Sequence, residues 1–204
     1  MERRLVLLIT TLTSFMTPFM ASSINIALPA IAMEFAIDAV LLTWVAISFI
    51  LPAAVLLLPC GRLGDISGRK RVFGYGTGLF ATASLLCALA QSTSYLIACR
   101  VLQGIGAAMI FSTGMAILTS VFPAAERGKV LGFNVGAVYL GMSLGPSLGG
   151  FMTHHLGWRS LFLGSAILGL LITGLVFLKL TGEWAEARGE SFDLARISTP
   201  PARP

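Results

Sequence analysis

The sequence predicts an all-α integral membrane protein, with six transmembrane helices arranged as an inverted three-plus-three repeat. Three observations predict it. Of the 204 residues, 56% are hydrophobic and only 11% charged, with a mean hydropathy of +0.87, where a soluble chain carries about 25% charged residues. A soluble fold of this size is mostly surface and could not hide so much apolar area. Six apolar runs each approach the roughly 20 residues that a helix needs to cross a bilayer. The chain also echoes itself: Gly61, Gly68, Lys70 and Phe73 recur at one constant offset as Gly150, Gly157, Arg159 and Phe162, with the first set after the second run and the other after the fifth.

The expected spans are 5–27, 41–60, 72–90, 95–118, 130–153 and 160–180, followed by a cytoplasmic polar tail over 181–204 that reads as a truncated linker. Backbone polar groups must be satisfied internally in lipid, so these runs are helices. The first follows Glu2-Arg3-Arg4. It is too long for a secretory h-region and is followed by more membrane sequence, so it reads as a retained helix. Lys and Arg set the orientation. With the N-terminus inside, the inner side holds most cations, from Arg3 and Arg4 through Arg69, Lys70 and Arg71 to Lys179, while the outer side holds Arg159 alone. Both termini are therefore expected in the cytoplasm. The net charge of +5 is a topology signal, and no basic patch with interleaved aromatics points to nucleic acid.

Between the second and third runs lies Gly61-Arg-Leu-Gly-Asp65-Ile-Ser-Gly68-Arg69-Lys70-Arg71, expected as a tight cytoplasmic hairpin. Its glycines allow a turn and close backbone approach. Asp65 among cations is either a solvated turn residue or a partner for Arg69 or a helix N-terminus. The fourth run holds Arg100, with Gln103 three residues on and on nearly the same face. An arginine in lipid is costly, so it faces a wet cavity or the bundle interior, or snorkels outward along the about 9 Å to the end of the span. In the fifth run Gly141, Gly145 and Gly149 line one face, Pro146 interrupts them and Gly150 follows. Such a face lets another helix approach closely. Cys60, Cys87 and Cys99 have no metal-ligand spacing and read as small packing residues. No metal site and no cofactor are expected.

The stretch Gly141-Met-Ser143-Leu-Gly145, with His154 and His155 beyond it, matches the pattern of a serine hydrolase. Geometry rejects it. His154 lies about 16 Å along the same helix, whereas a base must lie about 3 Å from its nucleophile. The strand-turn-helix elbow is also missing. No catalytic residue is assigned, and the chain is not expected to be an enzyme.

The hairpin resembles the signature loop of the major facilitator superfamily, G-x-L-a-D-r-x-G-r-k, at Gly61, Leu63, Asp65, Gly68, Arg69, Lys70 and, more loosely, Gly64. Arg100-Val-Leu-Gln103-Gly104-Ile-Gly106-Ala-Ala resembles that family's second motif. Gly141 to Gly150 resembles g-x-x-x-G-P-x-x-G-G, the antiporter motif of its drug exporters. Ser23, Asn25, Ala27, Leu28 and Pro29 resemble the opening motif of its fourteen-helix drug:proton antiporter branch, with Met20 where that motif has an aspartate. Pro123 to Lys129 and Gly157-Trp158-Arg159 resemble its loops. The resemblance implies a gating loop at Gly61, Asp65, Gly68, Arg69 and Lys70. It implies cavity or coupling groups at Asn25, Arg100 and Gln103, and a helix-packing antiporter motif at Gly141, Gly145, Pro146, Gly149 and Gly150. The chain would then be the N-terminal half of an exporter working by alternating access, proton-coupled when complete. Its partners would be the bilayer, a small amphipathic substrate and a second six-helix half, its own copy or another chain; a non-transporting fragment or regulatory subunit is the alternative. No acid falls inside the six expected spans, so a relay through an embedded carboxylate is not expected in this half.

Overall fold

The computed structural model describes residues 2–180, which form seven helices. They are α1 (Glu2–Phe35), α2 (Ala39–Val55), α3 (Leu57–Ser67), α4 (Arg69–Ala88), α5 (Thr93–Val121), α6 (Ala124–Leu156) and α7 (Arg159–Lys179). The tail expected over 181–204 lies outside the described residues. Among the described residues, α1, α5, α6 and α7 are long and apolar enough to cross a membrane, and the bent pair α2 and α3 makes a fifth such segment. Helix α4 falls short of that apolarity, with Arg69, Lys70 and Arg71 at its start and glycines and hydroxyls along it.

The helices begin and end for local reasons. Asp38 caps α2 by accepting from the Leu41 amide at 2.9 Å, and Ser92 caps α5. Pro59 has no N–H to give the Val55 carbonyl and its ring pushes that carbonyl aside. The chain breaks at Leu56, and α2 meets α3 at 47°. The first helix runs on past residue 27, through an exposed Pro29 to Phe35, since a membrane helix tolerates a proline where nearby groups re-satisfy the freed backbone. At 34 residues it is about 51 Å long, well beyond the ~30 Å hydrocarbon core. The expected hairpin is shorter than its sequence suggested. Gly61 to Ser67 continue α3, and the turn is made at Gly68 alone, with φ 104°.

Helix α1 packs on α6, α4 packs on α5 and α7, and α2 with α3 packs on α5. Met16, Met20, Phe73, Phe80, Ile110 and Phe162 fill the interior. The closest approaches are made where a glycine meets a backbone carbonyl. A Cβ on Gly104 would run into the Phe49 carbonyl of α2, and one on Gly141 into the Phe15 carbonyl of α1. On α6 the buried residues form a single stripe through Val130, Asn134, Ala137, Gly141, Gly145 and Gly149.

Gly104→Ala and Gly141→Ala are each expected to destabilise the bundle by about 1–3 kcal/mol through overpacking. Gly136→Ala, whose Cβ would meet nothing within 4 Å, should be neutral or slightly stabilising. Thermal melting in detergent micelles reads the difference, and equal behaviour of the three variants would remove backbone contact as the cause.

Candidate functional site

At one end of the bundle the α3–α4 turn is tied to the end of α5. Gly64 lies so close to α5 that a Cβ there would sit 2.7 Å from Thr113 Cγ2. The left-handed turn at Gly68 then swings Arg69 into the gap, 8% exposed at its side chain. Arg69 Nε and NH2 both donate to Asp65 Oδ1, at 3.0 and 2.8 Å. Its NH1 donates to Ser120 Oγ at 2.7 Å and to the Ala116 carbonyl at 3.4 Å. Charge-assisted bonds of this kind are about twice as strong as neutral ones. Of the expected gating residues, Asp65 and Arg69 are joined. Gly61 touches α5 at Ser112, 3.7 Å from a built Cβ. Lys70 stands half-buried in the first turn of α4 with no ion pair among the described residues.

Arg100 and Gln103 are both fully enclosed. The approach at Gly104 brings α5 against α2, and one turn earlier Arg100 Nε reaches the Val45 carbonyl at 3.2 Å. Its NH1 donates to Gln103 Oε1 at 2.6 Å, and Gln103 Nε2 donates to Ser84 Oγ of α4 at 2.7 Å. The guanidinium lies 4.5 Å from the centroid of the Phe49 ring, and Phe162 of α7 stands at 6.0 Å. Carbonyl, amide and two ring faces thus surround a cation that has no carboxylate beside it among the described residues. Of the alternatives left by the sequence, Arg100 takes the bundle interior, and Arg100 together with Gln103 links α2, α4, α5 and α7. Asn25 stands elsewhere. It is exposed on α1, with Nδ2 3.4 Å from the Ala21 carbonyl, and the structure does not bring it to Arg100.

The glycines of α6 meet α1. A Cβ on Gly145 would lie 2.6 Å from Ser22 Cβ, and one on Gly149 2.6 Å from Ser23 Cβ. The two serines fill that space with hydrogen bonds: Ser22 Oγ donates to the Met142 carbonyl at 2.9 Å and Ser23 Oγ to the Gly145 carbonyl at 3.0 Å. Pro146 stands exposed inside an unbroken α6, and a Cβ on Gly150 would lie 3.5 Å from Ile26 Cγ2. Lower on the same interface Ser14 Oγ donates to Asn134 Oδ1 at 2.9 Å. Ser143 is exposed on α6 and shares no hydrogen bond with His154 or His155 among the described residues, whose rings pair with each other at 4.8 Å.

Sequence reasoning missed the cluster at the opposite end. Glu34 Oε2 accepts from Trp158 Nε1 at 2.7 Å and from Arg159 NH1 at 2.8 Å. Arg159 NH2 donates to the Ala90 carbonyl at 2.9 Å, and its guanidinium stacks over Trp158 at 4.3 Å. The ends of α1, α4 and α7 are thereby tied together. One signal was present: Arg159 is the sole cation between the third span and the fourth or the fifth and the sixth, and Glu34 is the acid at the end of α1. Ser120 and Ser84, the partners of Arg69 and Gln103, carried no such signal.

The family model described as Major Facilitator Superfamily matches residues 10–201. The riboflavin transporter RibZ of Clostridioides difficile is 33% identical over 193 residues, which cover 95% of this chain and 42% of that protein. The multidrug resistance protein Stp of Mycobacterium tuberculosis is 35% identical over 192 residues, 94% of this chain and 36% of Stp. The chain therefore spans about two fifths of the length of the curated relatives it matches. Among solved structures, the proton:xylose symporter XylE shares the fold with a TM-score of 0.75 at 19% identity, over 86% of this chain and 44% of XylE.

Arg100→Lys is expected to cost about 1–3 kcal/mol, because an ammonium cannot replace the fork that reaches Val45 and Gln103 together and leaves buried groups unpaired. Lys70→Gln, which breaks no ion pair, should fall within about 0.5 kcal/mol of the parent. Chemical denaturation in mixed micelles compares them.

Proposed function

This chain belongs to the major facilitator superfamily, and on that premise we propose that it is the N-terminal six-helix half of a drug-exporter-like transporter. It crosses the membrane six times, with α2 and α3 as one crossing and α4 as another, and both termini lie in the cytoplasm. Small amphipathic cargo passes by alternating access between this bundle and a second one, either a copy of this chain or another chain. The observation that carries the reading is the seating of Gly141, Gly145 and Gly149 on α1. The motif that resembles the drug exporters' antiporter signature is here a working helix contact.

The inverted repeat has its own support. Among the described residues, the glycines with positive φ are Gly68 at 104° and Gly157 at 81°, and they are equivalent positions in the sequence echo. Each precedes a helix whose first turn sends an arginine to another helix end. Arg69 reaches the end of α5 and Arg159 the end of α1. If α1 to α4 repeat as α5 to α7 turned upside down, the two contacts are alike in kind, with the arginine one position out of register, since the echo pairs Arg159 with Lys70.

Asp65 with Arg69 serves as the gate at the cytoplasmic mouth, since the carboxylate is 32% exposed and free to meet a second bundle on its open side. Asn25 faces the cargo path, and Arg100 with Gln103 sets the shape of the bundle behind it. Proton coupling, in the complete transporter, uses a carboxylate of the second bundle. In this half the position that resembles the family's membrane aspartate is Met20, fully buried, whose Sδ accepts from Ser165 Oγ at 3.4 Å.

In sealed proteoliposomes, flux of riboflavin or an amphipathic dye is expected only where this bundle is paired, so flux there is compared with the oligomeric mass of the same preparation in lipid nanodiscs. Flux from a monomeric bundle would refute alternating access between two halves. Asp65→Asn is expected to raise the thiol-reagent accessibility of cysteines placed at the cytoplasmic mouth. Unchanged accessibility would remove Asp65 from the gate.

A further inference from the structure

Helix α6 leaves an open groove beside α1 at its N-terminal end, below the level of the glycine contacts. The groove has a volume of about 470 Å³ and is lined by Thr11, Lys129, Gly132, Phe133, Gly136 and Leu140. Gly132 and Gly136 make its floor, because a Cβ on either would meet nothing within 4 Å. The lining is apolar apart from two groups. One is Thr11 Oγ1, buried and without a hydrogen-bond partner. Its neighbours on α1 are all paired: Thr10, Thr13 and Thr17 donate to carbonyls of their own helix and Ser14 to Asn134. The other is Lys129, exposed at the mouth and without an ion pair among the described residues.

We propose that this groove binds a phospholipid with an anionic headgroup, from the leaflet on the side of the α6 N-terminus. Three features select that occupant. From Lys129 to Leu140 the groove runs about 16 Å along α6, which is about half the ~30 Å hydrocarbon core and so the depth of one leaflet. The cation stands at the headgroup end, where the Lys129 ammonium meets a phosphate. Arg4, exposed on α1 two turns before Thr11 and on the same face, adds a second positive charge there. Thr11 lines the groove with an unpaired hydroxyl, which a lipid ester carbonyl can satisfy by accepting its hydrogen bond. An apolar helix ridge from a second bundle would leave Thr11 unpaired and cover the ammonium with hydrocarbon, which is costly for both. Naming the leaflet as the cytoplasmic one rests on the topology proposed above; the site itself does not.

The test uses the whole 204-residue chain reconstituted in nanodiscs of equal palmitoyl-oleoyl phosphatidylglycerol and phosphatidylcholine, with lipid retained after release counted by native mass spectrometry. The parent is expected to retain phosphatidylglycerol over phosphatidylcholine by about fivefold or more, since each cation near a membrane surface supplies a factor of about five. Lys129→Gln should cut that preference several-fold, and Lys129→Gln with Arg4→Gln should remove it, while some lipid is still retained. Gly136→Leu, whose side chain enters open space, should remove retention of both lipids without lowering the melting temperature. Equal retention of the two lipids by the parent would overturn the proposal. So would retention unchanged in both Lys129→Gln and Gly136→Leu, or crosslinking of a Gly132→Cys variant to a second protein chain in place of lipid. Retention with the expected pattern in a chain that shows no flux leaves the lipid site standing and counts against the transport reading alone.

Discussion

Lipid tails are as apolar as leucine, so helices in a bilayer gain little by hiding their side chains from one another. What holds this bundle is how closely its backbones approach. At Gly104 and Gly141 a neighbouring carbonyl occupies the place of the missing side chain, and dispersion contacts and short polar bonds follow from that proximity. The serines of α1 reach the carbonyls of α6 only because Gly145 and Gly149 let them. Arg100 reaches Val45 because Gly104, one turn on, has already brought α5 against α2. Small residues set the spacing, and the polar network is built inside it.

Charge is placed with similar economy. Ion pairs stand at the two ends of the bundle, Asp65 with Arg69 at one and Glu34 with Arg159 at the other. Between them the enclosed cation is Arg100, and it is satisfied by a carbonyl, an amide and aromatic faces. A buried ion pair often fails to recover its desolvation cost. A weakly hydrated guanidinium among π faces avoids presenting a second charge that must be desolvated. Arg100 with Gln103 therefore links four helices without creating a partner carboxylate that cargo or protons would compete for.

Much of this was legible in the residues, for identifiable reasons. Glycine at i, i+4 and i+8 has one geometric meaning on a helix, so the packing face at Gly141, Gly145 and Gly149 could be read without coordinates. The pairing of Asp65 with Arg69 was legible as one of the options because the residues stand four apart in one short basic segment. Three things were not. Gly61 to Ser67 look like a loop by composition, yet they continue α3, since glycine in a bundle interior marks close approach as often as a turn. The end of α1 was placed too early: the helix runs through Pro29 to Phe35, and Ile31, buried in the bundle, holds an extension that the apolar run alone did not mark. The partnership of Glu34 with Trp158 spans 124 residues, and no local pattern encodes which distant end an acid will meet. The separation of Asn25 from Arg100 was hidden for the same reason, because which face of a helix is covered is decided by its neighbours.

The pairing of α1 with α6 also fixes an order of assembly. Ser14 and its partner Asn134 are 120 residues apart in the chain. At a synthesis rate of about 5–20 residues per second, roughly 6–24 s pass between the making of one and the other. During that interval the first helix sits in the membrane with its serine face uncovered, while α4 and α5, neighbours in sequence, can already pack. Helix α1, made before α6, is thus closed in later than the α4–α5 pair. A ribosome pause or a translocon that releases helices singly would lengthen the time in which that polar face is open to a wrong neighbour.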